Sequence, residues 1–136
     1  MKAKSVFLML AVSVSLIGCV SSSSSVVVGQ VRPAIAPAQV KLYVNPPKKF
    51  EQVALLESSS KASWAASDQG KMNVVIERLK EEAAKVGANG ILLRGTGDQS
   101  GGTVMTGTFA GNAAFGTGIP IMHKAGTGVA IYVTEE

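Results

Sequence analysis

Lys71-Met72-Asn73-Val74-Val75-Ile76-Glu77-Arg78-Leu79-Lys80-Glu81-Glu82-Ala83-Ala84-Lys85-Val86-Gly87-Ala88-Asn89-Gly90-Ile91-Leu92-Leu93-Arg94 is the stretch that decides the fold. Met72, Val75, Ile76, Leu79, Ala83 and Val86 recur at three- and four-residue spacing, which lines one face of a helix with apolar side chains. Glu77, Arg78, Lys80, Glu81, Glu82 and Lys85 fill the other face as a solvated surface. There Arg78 with Glu82, and Glu81 with Lys85, have the four-residue spacing of helix ion pairs. Asp68 or Ser67 caps the start, and Gly87 supplies the left-handed residue that ends the helix. Ala88-Asn89-Gly90 then turns the chain into Ile91-Leu92-Leu93-Arg94, an apolar run short enough for a buried strand. A helix with one apolar stripe must bury it, and the sheet containing this strand is the available partner.

Upstream, Val40-Lys41-Leu42-Tyr43-Val44 alternates with the period of a half-buried strand. Asn45-Pro46-Pro47 ends it, because proline lacks the ladder donor. Phe50 to Glu57 is a second strand, apolar on both faces near its end and so the more central of the two. Downstream, Gly128-Val129-Ala130-Ile131-Tyr132-Val133-Thr134 alternates again and returns the chain to the sheet. The expected fold class is α+β: a small ββαββ domain, with one helix on a mainly antiparallel four-stranded sheet.

Between the last two strands the chain is rich in glycine, from Gly95-Thr96-Gly97 through Gly101-Gly102 to Gly126. The spacing fits neither a P-loop nor a dinucleotide-binding turn. Small residues lower the packing gain, so residues 99–124 are expected as a mobile or weakly paired insertion in preference to a stable hairpin. His123, at its edge, has no partner serine, cysteine or acid nearby in sequence and is read as a surface residue. Trp64 stands alone among small polar residues of 58–67. It is expected as a lid over the core, ahead of a ligand platform or an exposed loop residue.

The chain of 136 residues carries one cysteine and one histidine, which excludes an intrachain disulfide framework and any site built from several imidazoles. Its formal charge of +4 includes Lys2 and Lys4, which lie in a leader segment. Without them no basic cluster interleaved with aromatics remains, so nucleic acid is not an expected partner. Residues 1–18 have the layout of a signal peptide, a positive end followed by an apolar run too short for a permanent span. Residues 19–38, with five serines and then spaced prolines, are expected as a flexible tether, ahead of an edge strand at Val26-Val27-Val28, and 39–136 as the single domain.

Leu16-Ile17-Gly18-Cys19 resembles the bacterial lipobox, which implies that Cys19 carries diacylglycerol and that the signal is cut before it. A thioether at Cys19 also accounts for the odd cysteine. By the same resemblance, Val20 in place of aspartate favours the outer membrane over the inner, with the domain in the periplasm. Leu79 to Leu93, read as LKxxAAxxGANxIxL, resembles the segment shared by small proteobacterial envelope lipoproteins related to the Rcs-system sensor lipoprotein and by YbjQ-like domains. That resemblance covers about Val40 to Leu93 and implies fold and location. The Rcs sensor depends on disulfides within its domain, whereas this chain has no cysteine after Cys19.

These features lead to a membrane-anchored envelope lipoprotein acting as a non-enzymatic binding or stress-sensing module. A structural, oligomeric lipoprotein is the alternative, and an enzyme ranks last because no nucleophile with a base, no acid–base pair and no metal set can be assembled. No catalytic, cofactor or metal residue is assigned. The expected partners are membrane lipid through Cys19 and an envelope protein, with a homo-oligomer as a further option.

Overall fold

The computed structural model describes residues 22–110 and 113–136. Cys19 and the leader segment lie outside the described residues. Five strands and one long helix follow in the order β1 (Ser23–Val27), β2 (Lys41–Tyr43), β3 (Lys49–Ser59), α1 (Asp68–Lys85), β4 (Gly90–Ala110) and β5 (Ala113–Glu135), with a 3-10 turn at Pro37–Gln39. The sheet order is β1-β3-β5-β4-β2, antiparallel except where the short β2 runs parallel to β4. Helix α1 therefore links two parallel strands, β3 and β4, with the last strand laid between them.

The helix forms where the periodicity places it. Ser67 caps it by accepting from the Gly70 amide at 3.0 Å, and Asp68 in the first turn and Lys85 in the last suit the helix dipole. At its end the Gly87 amide bonds Ala84 O at 3.1 Å and the Ala88 amide bonds Ala83 O at 3.1 Å, with Gly87 at φ +72°. That left-handed turn suits glycine, and a Cβ there would also meet Arg32 O at 2.5 Å. Val75, Leu79 and Ala83 are fully buried against Val53, Ala54, Leu56, Ile91 and Ala130. Alternate residues of the same strands, Leu92, Val129 and Ile131, pack with Tyr43, Phe50 and Val133 in a smaller cluster on the opposite sheet face.

Three expectations are corrected. The sheet has five strands, not four: the added one is β1, from the segment expected as a tether. Its serines are not inert spacers. Ser23 and Ser25 donate hydroxyl bonds to Glu82 at 2.9 and 3.3 Å, while the β1 backbone completes the open edge of β3. The chain then crosses below the helix end, with Arg32 N bonded to Val86 O and Ile35 N to Ala84 O, and reaches β2 on the opposite edge.

The second correction concerns 99–124. Among the described residues no separate insertion is present; 99–110 and 113–124 continue β4 and β5 as one long antiparallel hairpin, paired from Gln99↔His123 to Ala110↔Ala113. Backbone ladders do not require large side chains, and the surplus residue is absorbed in a bulge between Ser100 and Thr103, where Gly102 has φ +102°.

The third concerns the helix surface. Glu82 is 6% exposed, not solvated, and its lysine partner is Lys85 at 2.7 Å, three residues away. Arg78 turns from Glu82 to the carbonyls of Ser59 and Lys61.

Candidate interaction surface

The last β3 partner of β5 is Ser59, opposite Ala125, and β2 accompanies β4 only over Gly90–Leu92. Beyond those points, among the described residues, β4 and β5 pair only with each other. Twelve residues of β5, Ala113 to Lys124, project past β3, about 37 Å of strand at about 3.4 Å per residue. Residues 94–108 and 116–120 are exposed throughout, and Val104, Met105, Ile119 and Met122 keep between 44% and 69% of their surface in water. Val104 lies directly across from Ile119, so the two share one face of the ribbon.

None of the 25 residues from 99 to 123 is Asp, Glu, Lys or Arg. Charge returns at the base of the arm, where Lys124 Nζ lies 2.5 Å from Asp98 and 3.8 Å from Asp68. The hydrogen bond to Asp98 holds the Lys124 amine above the ordinary lysine value. Lys71 Nζ donates to Met122 O at 3.1 Å, so the start of the helix also grips the base. This uncharged run is itself a signal legible in the sequence. Edge strands are ordinarily guarded by charge, proline or brevity. Thr103–Ala110 of β4 has neither charge nor proline.

The loop of 60–67 stands at the same end of the sheet. Ser60 N bonds Lys124 O at 2.7 Å and Ser60 Oγ accepts from Lys124 N at 2.9 Å, fixing the loop to the arm base. Trp64 on this loop is fully exposed, at 102% of the reference surface, which corrects its expected place as a core lid. Burial preference is an average over tryptophans, and the helix closes on the sheet without this one: Val75 packs so close that a Cβ on Gly126 would lie 2.7 Å from Val75 Cγ1.

The chain enters the sheet at this end as well. Ser22 O accepts from Ser59 N at 2.9 Å, and Ser22 Oγ donates to Lys61 O at 3.1 Å. A shallow groove of about 380 Å³ lies here, lined by Ser22, Ser24, Glu57, Ser59, Lys61 and Gln99 among others. His123 sits on β5 opposite Gln99, with its imidazole over Gly101, and is half-buried. A second open groove of about 580 Å³ separates β2 from the helix, between Leu42, Tyr43, Ile76 and Lys80. At its rim Glu136 accepts from Lys41 and Tyr43, and the Lys41 bond holds its carboxyl below the ordinary range.

Glu82, the one buried carboxylate among the described residues, is a clamp between α1 and β1. Burial pushes it up, but the bonds from Lys85 and Ser23, the Lys85 charge and the Ser25 bond outweigh burial, so its net value is lowered. Among the described residues no group of three or more His, Cys, Asp or Glu could hold a metal ion, and no helix is long and apolar enough to cross a membrane.

No family model and no curated relative matches the chain. Among solved structures it is similar to the crystal structure of a Francisella virulence factor, FvfA, in its orthorhombic form, at 14% identity, covering 78% of this chain and 96% of that one, with a TM-score of 0.37. A likeness at that level bears on neither fold nor activity.

Proposed function

We propose that this protein is a lipid-anchored envelope lipoprotein, held at the outer membrane through Cys19, whose domain is a non-enzymatic module that binds or senses an envelope component. The observation that carries this reading is the β4–β5 arm. A two-stranded ribbon in water is marginal by itself, because it lacks a third strand or a packed face. A ribbon this long, uncharged and bearing exposed Val104, Met105, Ile119 and Met122 has the character of a contact element rather than a scaffold.

Two experiments test the two halves of the proposal. Cys19→Ser should leave the precursor uncut or release the protein from membranes, and a variant whose mass and fractionation match the parent refutes the anchor. A photo-reactive residue in place of Thr106, exposed on the arm, should form adducts with an envelope component in intact cells. Adducts that form equally from a control position such as Glu81 on the exposed helix face refute the arm as the contact element.

A further inference from the structure

We infer that Trp64 and the uncharged β4–β5 arm rest in the interfacial layer of the bilayer that the chain enters at Cys19. The inference rests on the proposed lipid anchor and names the component that the arm meets. Its first support is a length. Ser22 is fixed to Ser59 and Lys61 at the arm end of the sheet. Only Val20 and Ser21 separate it from Cys19, three Cα–Cα steps with a reach of at most about 11 Å. The anchor therefore hangs on a short leash, not on a tether of some twenty residues.

The second support is direction. Because β1 is antiparallel to β3 with Ser23 opposite Ser58, the N-terminal end of β1 lies at the end of the sheet where β4 and β5 project. The arm spans about 37 Å from Lys124 to Ala113, more than three times the reach of the leash. An arm this long cannot clear a surface held so near its root. It must lie along the bilayer or enter it.

The arm's chemistry then chooses between the two. With no charge between Asp98 and Lys124, placing it among headgroups and upper acyl chains buries no ion. Spanning the hydrocarbon is a different matter for a single copy. Both outer edges of the ribbon would present backbone N–H and C=O groups to lipid, at several kcal/mol for each unsatisfied group. The interfacial layer still supplies water and headgroups for those edges. Trp64, fully exposed on the loop bound to the arm base, has the residue type enriched at that depth, apolar in body with one N–H donor. The nearby charges, Lys61, Lys71, Arg78 and Lys124 against Glu57, Asp68 and Asp98, nearly cancel, and the Arg78 guanidinium is engaged by the carbonyls of Ser59 and Lys61, so attraction to anionic headgroups is not the driving force.

Trp64 is the only tryptophan and reports on its own surroundings. The full lipidated chain, purified from membranes and placed in phosphatidylethanolamine–phosphatidylglycerol vesicles, should show blue-shifted Trp64 emission, lowered access to acrylamide, and loss of intensity when the lipids carry brominated acyl chains. Raising the salt should change none of these. Val104→Glu combined with Ile119→Lys places opposite charges across the ribbon, which preserves its pairing while making the face unsuited to lipid. This variant should reverse the shift and the quenching. Water-like emission from the lipidated parent in vesicles overturns the inference and leaves the anchor standing, and so does an unchanged signal in the charged variant. Shielding found in native envelopes but not in vesicles also overturns it, in favour of a protein occupant. A mass without lipid on Cys19 overturns the anchor and the inference together.

Discussion

The side chain of Asn89 pairs with the backbone of Val133 as a neighbouring strand would: Val133 N donates to Asn89 Oδ1 at 2.7 Å, and Asn89 Nδ2 donates to Val133 O at 3.0 Å. The Asn89 carbonyl meanwhile accepts from Lys41 N at 3.0 Å, which sets β2 against the start of β4. One residue in the turn after the helix thus joins β2, β4 and β5. Asn89→Ala should cost about 1–3 kcal/mol, since it leaves two half-buried strand groups without their partner. Urea unfolding of the soluble domain measures it. Asn89→Asp keeps the acceptor for Val133 N but sets a charged oxygen against Val133 O, so it should cost at least as much as alanine, and an aspartate variant as stable as the parent would contradict the paired geometry.

Leu79 is fully buried at the centre of the helix stripe. Leu79→Ala should cost about 2–5 kcal/mol from lost transfer and the cavity left behind, a large share of what a domain of this size has. An unchanged unfolding midpoint contradicts the packing of α1 on the sheet.

Glu82 makes stability depend on acid. Its folded value is lowered, so its contribution is complete above the ordinary glutamate value of 4.5 and is lost as the pH falls through the lower folded value. At neutral pH, Glu82→Gln should therefore be less stable than the parent, and the difference should shrink as the solution is acidified below the ordinary glutamate value. Unfolding midpoints of both proteins against pH decide it. A constant gap across the acidic range would assign the effect to shape rather than charge.

Replacing 99–123 with a tight two-residue turn should leave the domain folded. The helix stripe packs on Gly126, Ala130 and residues nearer the sheet centre, and β5 keeps its full register with β3 from Ala125 to Glu135. Far-UV circular dichroism with a cooperative thermal transition checks it. An unfolded product would mean that the arm supports the final strand.

By itself the sequence determined the helix, its caps, its buried stripe and the α+β class, because these depend on neighbours within a few turns. Alternation likewise marked β2 and the end of β5, and short apolar runs marked β3 and the start of β4. What only the tertiary structure decided were pairings between distant segments. Ser23–Val27 has the composition of a linker, and it became a strand because β3 offered an open edge and Glu82 offered a carboxylate 59 residues away. The glycine-rich stretch became a hairpin because ladder bonds are made by backbone, to which composition is nearly blind. Trp64 stands exposed where composition favours a lid, because burial preference is an average over many tryptophans and the helix packs on the sheet without it, Val75 against Gly126. The close approach of Ser22, Trp64 and the arm root at one end of the sheet was likewise unreadable in sequence, since it follows from strand order, which local patterns do not encode.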